Sequence, residues 1–214
     1  MAKTKHEQMT TPAAILLPFA AIAKPEVFQM EGAEDSTPRF KARIVLPTES
    51  PECQKLIAQI QGVWEQGYAE ACTEKGVKKL PIHPEGKPYL PQVDRATGEE
   101  TGYTIFRFSQ KSEIKSKKTG QVYQQRVKVF DSEGKLIANP PEAGGGSKVR
   151  LSGPIVPFVF AGKFGVSLRL EAVQIIDLKV WEGDNNDRFQ FSREEGGYTG
   201  PEEETFPGAE GGDF

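Results

Sequence analysis

From Tyr103 to Leu178 the chain runs in short segments of alternating apolar and polar residues, cut by glycine- and proline-rich turns. A period of two puts every second side chain on one face, the pattern of half-buried strands, so this stretch is committed to β-structure. Tyr103 to Lys115 and Val122 to Phe130 are predicted strands joined by the basic turn Lys117-Lys118-Thr119-Gly120. After the turn Ser132-Glu133-Gly134-Lys135 and a Pro/Gly loop over 139–146 come two more, Ser147 to Phe160 and Phe164 to Leu178. Upstream, Phe40, Ala42, Ile44 and Leu46 alternate with Lys41, Arg43 and Val45 until Pro47. A first strand fits Ala14 to Ala23, preceded by a loose leader over 1–12.

One segment has a different period. Ser50-Pro51-Glu52 supplies an N-cap hydroxyl, a proline at the first helical position and an acid in the first turn. Cys53, Leu56, Ile57, Ile60, Val63, Trp64 and Cys72 then follow helical spacing to about Lys75. Gly62 and Gly67 each cost such a helix about 1 kcal/mol against alanine, so packing must hold it. Residues 78–102 are rich in proline and glycine and read as a long loop. About six strands with one inserted helix predict a mainly β domain, a five- to six-stranded Greek-key barrel of the OB type.

The charge is divided along the chain. The formal net charge is -3, from 30 acids and 27 bases in 214 residues. Ten of those acids and only two of the bases lie in residues 182–214, leaving 1–181 with 20 acids, 25 bases and a net +5. A basic body and an acidic tail suggest a polyanion-binding domain, residues 1–181, followed by a separate interaction segment, 182–214, expected to be disordered. After Arg193 the tail has seven acids, no base, and a final phenylalanine, Phe214. An acidic tail serves solubility, but an aromatic last residue beside Asp213 looks like a docking tip.

The body supplies what a nucleic-acid binder needs. Arg107, Lys111, Lys115, Lys117, Lys118, Arg126 and Lys128 lie between Tyr103 and Phe130, where Glu113 is the one acid. Cations neutralise phosphates, and flat rings stack on bases without reading sequence. Phe106, Phe108, Phe158, Phe160 and Phe164 are the candidate rings, although most of 13 phenylalanines must be core.

Other chemistries find little support. Asp131-Ser132-Glu133-Gly134-Lys135 has the acid-x-Lys spacing of a metal nuclease but is ordinary turn chemistry. Gly144-Gly145-Gly146-Ser147-Lys148 has the wrong order for a phosphate loop and is read as a flexible turn. His6 and His83 have no nucleophile in view, and two distant cysteines fit inert buried thiols better than a zinc site. No catalytic residue, metal ligand or cofactor is predicted. Ala13 to Ala23, with Lys3 and Lys5 before it and Ala21-Ile22-Ala23 in the form of a cleavage site, has some features of a secretory leader; Pro18 and Glu7 favour the strand. No stretch approaches the length of a membrane span.

Several passages together resemble the single-stranded DNA-binding proteins of short-tailed bacteriophages, the gene-2.5-product family. They are Ile22-Ala23-Lys24-Pro25, Pro51-Glu52-Cys53-Gln54, Tyr68-Ala69-Glu70-Ala71, Phe106-Arg107-Phe108, the run from Val129 to Lys135, Gly144 to Lys148, Val156-Pro157-Phe158, and the terminal Gly212-Asp213-Phe214. The resemblance implies an OB fold that coats single-stranded DNA in phage replication and recombination, anneals strands and forms homodimers in the cytoplasm of the infected bacterial host. It implies that the tail contacts the phage DNA polymerase and primase-helicase, through Glu202, Glu203, Glu204, Asp213 and Phe214 here, and competes with DNA for the basic groove. By motif, Arg39 falls on a DNA-contacting arginine, and Phe158 and Phe160 fall on a stacking tyrosine and a tryptophan. Ser109 and Ser152 stand where the family has lysines, and the tail is shorter and less acidic. The expected phosphate track is therefore Arg39, Arg107, Lys111, Arg126, Lys128 and Arg150, with Phe158 and Phe160 stacking on bases. The alternative is an OB-type adaptor that binds protein and no DNA.

Overall fold

The computed structural model describes residues 6–27, 37–116 and 119–180. The expectations for the tail, including its disorder and the roles of Glu202, Glu203, Glu204, Asp213 and Phe214, lie outside the described residues, as do Lys117 and Lys118. In chain order the described elements are β1 (Gln8–Thr10), β2 (Ala14–Leu16), β3 (Ala21–Glu26), β4 (Arg39–Pro47), α1 (Pro51–Lys75), β5 (Tyr89–Val93), β6 (Glu100–Lys111), β7 (Glu113–Lys115), β8 (Val122–Gln124), β9 (Lys128–Phe130), β10 (Lys148–Phe160), β11 (Lys163–Arg169) and β12 (Ala172–Asp177).

Five strands close a ring. β2, β4 and β6 form an antiparallel meander, β2 pairs with β10, β10 with β11, and β11 returns to β6. The closing pair is parallel, Leu168 beside Phe108 and Arg169 beside Ser109, and closure removes the exposed edges an open sheet would present. Alternation decides what points inward. Phe40, Ala42, Ile44 and Leu46 of β4 meet Phe106 and Phe108 of β6, Leu151 and Ile155 of β10, and Phe164, Val166 and Leu168 of β11 in the core. Phe106, Phe108 and Phe164 are therefore interior rings, at most 2% exposed.

The helix keeps the predicted bounds because its signals are local. Ser50 Oγ accepts from Cys53 N–H at 3.2 Å, Pro51 occupies the first turn, and Gly76 ends it in the left-handed conformation at φ 64°. Its buried face packs on β10 and β11. Trp64 and Tyr68 meet Phe164 edge to face, with centroids 5.1 and 5.3 Å apart. Gly67 permits this approach, since a Cβ there would lie 2.8 Å from the Pro157 ring. Cys53 and Cys72 are buried free thiols, and burial pushes the Cys53 thiol up, which keeps it protonated.

The structure corrects several strand expectations. The leader is not loose over its second half: Met9 is 1% exposed, and β1 pairs with residues 152–154 of β10. The single strand over 14–23 is broken into β2 and β3 at Pro18-Phe19. The segment 78–102 contains β5, which pairs with β6, and an isolated bridge between Ile82 and Phe164. Val122 to Phe130 divides into β8 and β9, and Phe164 to Leu178 into β11 and β12 at Leu170-Glu171. Between β8 and β9 the chain changes pairing partner, from β7 to β12, whereas β2 and β3 stay on one edge of β4 and are parted by a bulge, and periodicity alone registers neither. The 144–148 turn is tethered rather than free. Ser147 Oγ donates to the carbonyl oxygen of Gly144 at 2.8 Å and accepts from Lys179 N–H at 2.9 Å, while Gly146 N–H bonds Leu16 O.

Candidate nucleic-acid interface

The outward positions of β4 include Arg39, Lys41 and Arg43, and those of β6 include Arg107, Ser109 and Lys111. Register sets them side by side: Arg39 faces Lys111, Lys41 faces Ser109, and Arg43 faces Arg107. Like charges directly opposite each other destabilise a sheet by a few tenths to 1 kcal/mol per pair, so two such pairs on one face cost the fold stability. Arg169, next to Ser109 in the parallel closure, adds a sixth cation. These residues line a groove of about 710 Å³, and among the described residues its lining includes one carboxylate, Glu85. Lys41 pairs with Glu26 at 2.7 Å. The two central guanidiniums are instead held by backbone carbonyls, Arg43 by Pro18 O at 3.1 Å and Arg107 by Lys87 O at 2.6 Å. Carbonyl bonds orient a guanidinium without neutralising it, which leaves its charge for an anionic ligand.

Aromatic rings close one side of the groove. Phe160 is 66% exposed at the end of β10, where Ala161 and Gly162 turn the chain with φ of 48° and 74°, as the tight two-residue hairpin requires. Phe158, two residues back on the same face, is half-buried. His83 meets both rings edge to face, at 5.6 Å from Phe158 and 6.1 Å from Phe160, and its Nδ1 accepts from Glu85 N–H. The segment 81–88 that carries His83 is inserted between β11 and β6. His83 N–H bonds Phe164 O, Val166 N–H bonds Gly86 O, and Arg107 N–H bonds Pro88 O. Gly86 and Gly165 make the insertion possible, because a Cβ on Gly165 would lie 2.6 Å from both the Gly86 Cα and the Phe158 ring.

The groove thus brings together Arg39, Arg107, Lys111, Phe158 and Phe160 from the sequence-based set. Arg126, in the link before β9, and Lys128, on β9, are exposed but do not line it. Arg150 lines a different hollow, with Glu7, Glu52 and Lys55. Ser109 stands in the groove between Arg107 and Lys111, whereas the Ser152 hydroxyl bonds Thr10 Oγ1 at 2.9 Å and ties β1 to β10. Lys41, Arg43, Arg169 and His83 were not singled out from sequence. Lys41 and Arg43 were legible, two and four residues after Arg39 on one predicted strand. Arg169 and His83 reach the groove through non-local pairing and carry no local signal. The Asp131 carboxylate is bound within its turn, accepting from Glu133 and Lys135 N–H at 3.0 and 2.8 Å, which answers for its spacing without a metal.

A closed five-strand barrel with a cationic face and rings at its margin is the architecture of the oligonucleotide-binding barrels. The model of the family "Single-stranded DNA-binding protein, Bacteriophage T7" matches residues 13–178, and the chain belongs to that family. The single-stranded DNA-binding protein of Enterobacteria phage T3 is 29% identical over 94% of this chain and 89% of its own length. Its counterpart in Escherichia phage T7 is 30% identical over 85% of this chain and 80% of its own. The crystal structure of gp2.5, a single-stranded DNA-binding protein encoded by bacteriophage T7, superposes with a TM-score of 0.67 at 26% identity, covering 92% of this chain and all of that one. The bacteriophage Enc34 single-stranded DNA-binding protein, in complex with single-stranded DNA, shares the fold at 14% identity with a TM-score of 0.53, over 80% of this chain and 87% of that one.

Proposed function

We propose that this protein binds single-stranded DNA without sequence preference, as a non-enzymatic coat. Phosphates would lie on Arg39, Lys41, Arg43, Arg107, Lys111 and Arg169, and bases on Phe158 and Phe160. The observation that carries this reading is the groove itself: among the described residues that line it, six cations and two accessible rings stand against one acid, Glu85. The relatives' names support the ligand. Arg126, Lys128 and Arg150, away from the groove, are proposed as outlying contacts for longer strands. On the same reading the protein works in phage replication and recombination inside the infected cell. It promotes annealing, forms homodimers, and recruits the polymerase and primase-helicase through the acidic tail ending at Phe214. Among the described residues no helix is long and apolar enough to cross a membrane.

Titration of full-length and tail-deleted protein with oligonucleotides across a salt series tests this. Each phosphate neutralised on a single strand contributes about -0.7 to the log-log salt slope, so six engaged cations give a slope near -4. Removal of residues 194–214 should tighten binding and abolish polymerase recruitment. A salt-independent interaction, or equal affinity for duplex, would instead favour the protein-binding adaptor. Phe160→Ala should weaken binding by about 1–3 kcal/mol, the contribution of one stacked base. Because that ring is exposed, the melting midpoint should not fall. Unchanged affinity would place the bases elsewhere.

A further inference from the structure

Phe19 has two unusual properties at once. It is 77% exposed, the most exposed large hydrophobic residue among those described, and its φ is +64°, a left-handed conformation that a bulky side chain rarely adopts. Both arise from a bulge. β2 and β3 lie along the same edge of β4, with Leu16 opposite Ile44 and Ala21 opposite Lys41. Five steps of this chain thus cover three steps of β4, and the two extra residues push Pro18-Phe19 out of the sheet. Bulges of this kind are used beside functional sites to re-aim a side chain.

The bulge is braced, and its bracing comes from the groove. Leu17 N–H bonds Arg43 O at 2.8 Å, and the Arg43 guanidinium bonds Pro18 O at 3.1 Å. Pro18 rests against Gly145, where a Cβ would lie 2.9 Å from its ring and 3.0 Å from its nitrogen. Across the strands, bonds and register run from the Pro18 carbonyl, beside Phe19, through Arg43 and its register partner Arg107 to Lys87 O, and His83, four residues before Lys87, meets Phe158 and Phe160. Successive strands lie about 4.8 Å apart, so the row from the bulge across β4 and β6 to the 81–88 segment, three spacings, spans roughly 14 Å. It has cations in the middle and an aromatic at each end.

We propose that Phe19 is a second base-stacking station, at the end of the groove opposite Phe158 and Phe160, and that the bulge exists to present it. This rests on the reading of the groove as a single-strand site. A strand lying across β6 and β4 would place phosphates on Arg107 and Arg43 and its next base against the Phe19 ring. Stacking needs only a flat face, so this station is tolerant of sequence. The strain at Phe19 is held by the Arg43 and Gly145 contacts in the absence of DNA.

The test separates ring from backbone. Glycine adopts a positive φ without steric cost, so Phe19→Gly should leave the melting midpoint unchanged or raise it. It should weaken binding of an oligothymidylate of about 16 nucleotides, the upper site size for one barrel, by fivefold or more. Phe19→Trp should bind like the wild type. Arg107→Glu, measured beside them, reports on the groove itself. If Arg107→Glu loses binding while Phe19→Gly binds like the wild type, the station is overturned and the groove stands. If Arg107→Glu also binds like the wild type, the groove reading fails. A lowered midpoint in Phe19→Gly, or a changed oligomeric state by sedimentation with unaltered affinity per site, would assign the ring to the fold or to a subunit contact and overturn the proposal.

Discussion

Arg43→Glu should weaken single-stranded DNA binding about a hundredfold while moving the melting temperature by no more than a few degrees. Arg43 and Arg107 are register partners on β4 and β6, held by different backbone carbonyls. A glutamate at position 43 turns a repulsive cross-strand pair into an attractive one, worth up to about 1 kcal/mol to the fold, which largely offsets the loss of the Arg43 bond to Pro18 O, about 1–2 kcal/mol. It also occupies Arg107. One substitution therefore removes two phosphate contacts, each charge-assisted hydrogen bond being worth about 1.5 kcal/mol or more, and about 3 kcal/mol is a factor of roughly a hundred. The salt slope should fall in magnitude by about 1.4. Titration and thermal melting of the same preparation check both halves. Wild-type affinity with the full slope would remove the central row from the DNA path.

The second large effect is on folding. Gly153 of β10 pairs with Met9, and a Cβ there would lie 1.9 Å from the carbonyl oxygen of Arg169 and 2.9 Å from its carbon. The opposing backbone has little room to retreat. Glu171 N–H bonds Ser152 O at 3.0 Å, and Lys128 N–H bonds Glu171 O at 2.9 Å. Gly153→Ala should therefore cost about 4 kcal/mol or more, the range in which single substitutions are exceptional. For a domain of this size that lowers the melting midpoint by about 8–16 °C. Circular dichroism on heating reads it directly. A midpoint within a degree or two of the wild type would mean that β10 and the Arg169–Glu171 corner are not in contact.

These two positions show how differently legible the molecule is. Nothing near Gly153 in the sequence distinguishes it from a glycine that weakens a strand. Its necessity arises from a corner sixteen residues away, where β11 passes into β12. Arg43 was visible as a cation on the outward face of an alternating strand, but its opposition to Arg107 is a matter of register. The rings make the same point. Phe106, Phe108, Phe158, Phe160 and Phe164 are equivalent in sequence, yet three fill the core and two flank the groove. Phe158 and Phe160 have the outward parity of Arg150 and Ser152 on β10, opposite to the core residues Val149, Leu151 and Ile155, and which surface they reach is set by the barrel.

By itself the sequence determined what depends on neighbours a few residues apart. The bounds of α1 follow from Ser50, Pro51 and Gly76, the inward and outward faces of β4 and β6 from alternation, and the basic body and acidic tail from composition. Tertiary structure decided which elements meet. It split the 14–23 strand to expose Phe19, inserted 81–88 to bring His83 to the rings, and closed β6 on β11 to bring in Arg169. Side-chain parity is written into each strand locally, but partners and breaks are set by closing the barrel around one core. That closure is the property of the whole chain that turned scattered arginines and phenylalanines into a groove.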